Sequence, residues 1–134
     1  MAQEGVHDQA VREIRAGRKT GHWMWFELPQ LGGLGRSETS RYYGIASLAE
    51  ARAYLGHEVL GPRLREAASA ALAAPSGLSA ETIFGPIDAM KLRSSMTLFH
   101  RAAPEEPTFM EVLARFFDGR EDPATLSLLG EARG

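Results

Sequence analysis

Three groups of residues in this chain have the types and spacing to do chemistry. The first is Lys91 with Ser94 and Ser95. At about 100° per residue along a helix, Ile87 and Leu98 fall on one side of Lys91 and Ser95, and Leu92 and Phe99 on the other. Thr97, Arg93 and His100 take the opposite arc. Lys91 and Ser95 are therefore expected within the apolar arc. An ammonium there needs a carboxylate, backbone carbonyls or a ligand, because burying it unpaired is costly. Four-residue spacing also lets a lysine reach a serine, the pairing used by a lysine-activated serine nucleophile. The order is the reverse of S-x-x-K, however, and a mid-helix serine more often bonds to the preceding turn. A structural ion pair at Lys91 is the plain alternative.

The second group is Gly32-Gly33-Leu34-Gly35-Arg36-Ser37, just ahead of a predicted helix. Glycines let successive backbone N–H groups point at one spot, and a helix N-terminus adds partial positive charge. Gly33, Gly35, Arg36 and Arg41 would then grip an anion such as a phosphate. The spacing matches neither G-x-G-x-x-G nor the Walker pattern, so a tight turn between helices is the competing reading. The third group is His22, Trp23, Trp25 and Gln30. Aromatic faces with an imidazole and an amide suit a flat heterocycle, and they equally suit a core.

Metal chemistry finds no support. His7, His22, His57 and His100 fall in different elements, and His57-Glu58 begins like H-E-x-x-H but has Gly61 where the second histidine belongs. The absence of cysteine removes disulfides, thiolate sites and a cysteine nucleophile, and it fits a reducing cytoplasm. A formal charge of −2 lacks the basic surplus that phosphate neutralisation requires, which argues against a nucleic-acid partner. Arg12, Glu13, Arg15, Arg18 and Lys19 read most simply as a solvated face. The first residues lack the basic-then-apolar pattern of a signal peptide, and no apolar run approaches the roughly 20 residues of a bilayer span.

The elements that must position these groups are helical. Val6, Ala10 and Ile14 form one apolar stripe, ended by Gly17. Short helices are predicted over 22–28, stopped by Pro29, and over 37–43, ended by Gly44. Ser47 and Glu50 form a capping box for a helix reaching Gly56. Gly61-Pro62 restarts the chain, with Leu64, Ala67, Ala68, Ala71 and Leu72 on one side. Ser79 caps a short turn closed by Gly85, and Pro86 opens a helix to about Ala102. Pro107 begins a helix with the stripe Phe109, Val112, Leu113, Phe116 and Phe117. Asp122-Pro123 caps a last one. With 134 residues, 44% of them hydrophobic, no repeat and no linker, the prediction is one all-α domain over 1–134: an irregular array of about seven helices.

Three blocks in order, HWMWFELPQLGGLGRS, ARAYLGHEVLGPRLRE and KLRSSMTLF, resemble the family called domain of unknown function 1810. These are small, mainly bacterial proteins sometimes mislabelled calpastatin. The resemblance runs on through DPATLSLL at 122–129. It implies a mainly helical array and brings with it no activity, cofactor or catalytic residue.

The leading expectation is a cytoplasmic protein in which His22, Trp25, Gln30, Gly33, Gly35, Arg36, Arg41, Lys91 and Ser95 form a pocket. Its occupant would be a polar, anionic, nucleotide-like small molecule, with no cofactor and no metal. The rival is an interaction module whose apolar 109–117 face meets a protein partner.

Overall fold

The structure, a computed structural model, describes residues 4–17, 48–75 and 77–129. Seven helices lie within them: α1 (Glu4–Ala16), α2 (Leu48–Gly56), α3 (Leu60–Ala73), α4 (Ala80–Phe84), α5 (Pro86–Ala102), α6 (Pro107–Phe117) and α7 (Pro123–Leu129). There is no strand among the described residues. The short helices predicted over 22–28 and 37–43, and the Ser47 half of the capping box, lie outside them.

Most helix ends follow local chemistry. Gly17, at φ 81°, ends α1 in a left-handed conformation that a side chain resists. The Ser79 hydroxyl accepts from the Thr82 N–H at 3.1 Å to start α4, and Gly85 at φ 85° separates α4 from α5. Asp122 caps α7 by accepting from the Thr125 N–H at 3.0 Å.

The α2–α3 junction departs from expectation. The helix after it begins at Leu60, ahead of Gly61-Pro62. The reason is His57, whose Nδ1 accepts from the N–H groups of both Val59 and Leu60, each at 3.1 Å. A histidine thus does the work expected of the proline, satisfying amides that the new helix leaves without carbonyls. Gly61 is buried in this junction. A Cβ there would stand 2.1 Å from the Leu55 carbonyl oxygen.

α5 is the central element, packed against α2, α4, α6 and α7. Leu92, Met96, Leu98 and Phe99 are fully buried along it. The Phe99 ring lies 5.6 Å from that of Tyr54 on α2 and 5.8 Å from that of Phe109 on α6, so one aromatic ties three helices together. Burial of each such side chain contributes roughly 1.5–3 kcal/mol. Ala67, Ala68, Ala70 and Ala71 are buried on α3, which packs against α1, α2 and α6. Small side chains on that face leave room for neighbouring helices to pack against it.

The 109–117 stripe is a correction. Phe109, Val112 and Leu113 are fully buried, and Phe116 and Phe117 are half-buried against the same core. Its apolar area already faces α3 and α5, so the face first suggested for a protein partner is part of the core.

Candidate functional site

Helix α5 carries the predicted residues that the structure describes. Asp88, Lys91 and Ser95 lie at positions i, i+3 and i+7 of one continuous helix, which puts them on one face. Lys91 Nζ is 3.3 Å from an Asp88 carboxylate oxygen, with side chains 21% and 19% exposed. Ser95 is fully buried. Its Oγ has no hydrogen-bond partner among the described residues.

Sequence geometry placed Lys91 and Ser95 in a buried arc, and the structure keeps both there. It sets the Asp88 carboxylate beside Lys91. The i, i+3 spacing was the available signal. No Lys91–Ser95 hydrogen bond forms, so the serine hydroxyl has no base beside it, and the nucleophile reading loses its geometry. Ile87, expected to help enclose the arc, is instead 71% exposed.

The opposite arc of α5 is covered as well. Thr97 is fully buried and Arg93 partly so, because the α6–α7 connector lies across them. Arg93 donates to the carbonyls of Arg120 and Glu121, both at 2.9 Å. Thr97 Oγ1 accepts from the Asp122 N–H at 2.8 Å, and Ser94 Oγ sits 3.1 Å from Asp122 Oδ2. Arg101 grips Glu121 with two bonds of 2.7 and 2.8 Å. Contacts of this kind, between residues 20 to 28 apart in the chain, leave no periodic signature. His100, in the same arc, has a buried Nδ1 without a partner among the described residues.

An open groove of about 450 Å³ runs between the ends of α2 and α5 and the connector before α6, lined in part by Arg52, Arg65 and Glu106. Its arginines hold the fold. Arg52 donates to the Ala102 carbonyl at 3.2 Å, and Arg65 to the Leu55 carbonyl at 3.2 Å and to both Glu106 oxygens at 2.9 Å. The bond to Glu106, opposed by burial, holds the Arg65 guanidinium above its ordinary value. Both arginines cap helix C-termini, where carbonyls lack intrahelical partners.

His22, Trp25, Gln30, Gly33, Gly35, Arg36 and Arg41 lie outside the described residues. Of the predicted site residues, Lys91 and Ser95 lie among the described ones, on one face of α5 with Asp88. Among the described residues no three histidine, aspartate or glutamate side chains are grouped to hold a metal ion. No described helix is long and apolar enough to cross a membrane.

A family model described as "Protein of unknown function (DUF1810)" matches residues 1–129. The fold is similar to the crystal structure of the conserved hypothetical protein Rv1873 from Mycobacterium tuberculosis, solved at 1.38 Å. That likeness has a TM-score of 0.92 and 52% sequence identity, and covers 96% of this chain and 91% of the other. A search of curated proteins finds no match.

Proposed function

The chain belongs to the DUF1810 family, whose function is unknown, and from that premise we propose that it binds a polar, anionic, nucleotide-like small molecule. Lys91 and Ser95 of α5 form one wall of the site. His22, Trp25, Gln30, Gly33, Gly35, Arg36 and Arg41 complete it, the aromatics stacking on a flat group and the arginines meeting the charge.

The observation that carries this reading is the Ser95 hydroxyl. A buried helical serine has a ready partner in the carbonyl one turn back. On the same helix Ser94 takes that option with Met90 at 3.1 Å, and Thr97 does so with Arg93 at 2.8 Å. Ser95 does not, although it is fully buried. Leaving such a group unsatisfied costs about 1–3 kcal/mol, a cost that an alanine would avoid. A ligand hydrogen bond removes the cost and accounts for the serine. The largely buried Lys91 beside it points the same way, since a chain built for stability alone gains little from an ion pair there.

Cytoplasmic working conditions fit the lack of cysteine. The test is a thermal-shift screen over nucleotides and sugar phosphates. A ligand present at 100 times its dissociation constant adds about 2.7 kcal/mol of stability. The expected result is a shift in the wild type that shrinks in Lys91→Met and Arg36→Met. No shift in the wild type, or an equal shift in both variants, overturns the proposal.

A further inference from the structure

The groove between the ends of α2 and α5 keeps unpaired charge after its structural bonds are made. Arg52, Arg65, Glu105 and Glu106 line it, together with apolar surface from Leu55 and Ala103. Arg65 and Glu106 neutralise each other through two bonds of 2.9 Å. Of the Arg52 donors only Nε is engaged, with the Ala102 carbonyl at 3.2 Å. Its two Nη groups have no hydrogen-bond partner among the described residues. The exposed Glu105 carboxylate has none there either, and it forms no ion pair with Arg52. Among the described residues, the groove thus offers one guanidinium and one carboxylate with their bonding capacity open. The carbonyl ends of α2 and α5 lie beside them.

We infer that this groove binds a short peptide with free ends, a zwitterion whose carboxylate meets Arg52 and whose ammonium meets Glu105. A guanidinium with its Nη groups open takes a carboxylate in two parallel bonds. The Nε bond to Ala102 already holds the Arg52 side chain, so less freedom is lost when a ligand arrives. An ammonium is favoured both by the Glu105 carboxylate and by the carbonyl ends of the two helices. A bare anion is opposed by Glu105 and those carbonyls, and a bare cation by Arg52. A ligand carrying both charges answers each with its opposite. The volume of about 450 Å³ falls within the range of small-ligand pockets, and the apolar lining suits small aliphatic side chains. None of the residues proposed to bind a nucleotide takes part, so the two readings stand or fall separately.

The experiment is an amide NMR titration of the full chain with alanyl-leucine, N-acetyl-alanyl-leucine, alanyl-leucine amide and acetate, at matched ionic strength. It is repeated for Glu105→Gln and Arg52→Gln, whose amide spectra show whether each is folded. Glu105→Gln breaks no bond of the fold, so it carries the test even if Arg52→Gln does not fold. The expected result is a saturable shift of the Gly56 and Ala103 amides with the free dipeptide. Acetylating its ammonium or amidating its carboxylate weakens binding about two- to fivefold, the range for exposed charge pairs. Glu105→Gln weakens the free dipeptide by the same factor and leaves the N-acetyl form unchanged. Wild-type binding of the N-acetyl form or of acetate as tight as that of the free dipeptide overturns the zwitterion assignment. No saturable shift at the groove, or shifts confined to residues away from it, overturns the site itself.

Discussion

Ser94 and Ser95 are adjacent on α5 and both buried, yet only Ser94 is hydrogen-bonded. Its hydroxyl lies 3.1 Å from the Met90 carbonyl and 3.1 Å from Asp122 Oδ2, whereas the Ser95 hydroxyl meets neither a carbonyl nor a side chain among the described residues. One serine fastens α7 to α5, and the other makes no such bond.

The two alanine variants therefore part company. Ser94→Ala removes a bond to the Asp122 cap and is expected to cost about 1 kcal/mol in urea unfolding. Ser95→Ala removes a buried hydroxyl without breaking a bond, so the ligand-free protein is expected to be unchanged or stabilised by up to about 1 kcal/mol. Under the proposed function its cost appears only when ligand is present. A Ser95→Ala loss of stability equal to that of Ser94→Ala, measured without ligand, would show that Ser95 is bonded inside the fold.

Arg115 on α6 is a second clamp. Its Nη1 donates to the carbonyls of Ala71 and Leu72 at 2.9 and 2.6 Å, and its Nη2 to those of Ala74 and Pro75, both at 2.9 Å. The guanidinium also lies 4.6 Å from the centre of the Phe116 ring. These are the carbonyls that the end of α3 leaves exposed, where a cation is favoured. Arg115→Met is expected to destabilise by about 2–3 kcal/mol in urea, with an unchanged slope. Arg115→Lys should recover less than half, because one ammonium cannot span four carbonyls or stack as a planar group does. Full recovery by lysine would reduce the contribution to charge alone.

Gly61 and Gly56 predict opposite outcomes for the same substitution. A Cβ at Gly61 would lie 2.1 Å from backbone oxygen, whereas one at Gly56 meets nothing within 4 Å. Gly61→Ala is expected to cost more than about 2 kcal/mol, since helices α2 and α3 must separate. Gly56→Ala, at the end of α2, should be neutral or add up to about 1 kcal/mol by restricting the unfolded chain. Thermal unfolding of the two variants side by side checks both; a tolerated Gly61→Ala would mean the junction has room to give.

Much of the helical layout is readable because its signals are local. Pro86, Pro107, Pro123, Ser79 and Asp122 sit at helix starts, and Gly17 and Gly85 at ends, since each satisfies or terminates backbone within a turn of itself. The α3 start was misplaced for the same reason in reverse. The cap came from a histidine, which no preference rule favours. On α5, periodicity correctly put Ser95 inside. It misjudged Ile87 and was silent on the cover over Thr97 and Arg93, because an angle around a helix says which residues share a side and not what covers that side.

From its residues alone this chain was determined to be a helical array, with Lys91 and Ser95 on the apolar side of α5. Local backbone satisfaction and the 3.6-residue period are enough for that. Tertiary structure alone decided that the 109–117 stripe belongs to the core, and that Ser94 is bonded while its neighbour is not. Each of those outcomes depends on which surface a fold presses against a side chain, and a distance of 28 residues between Ser94 and Asp122 carries no periodic trace in the order of amino acids.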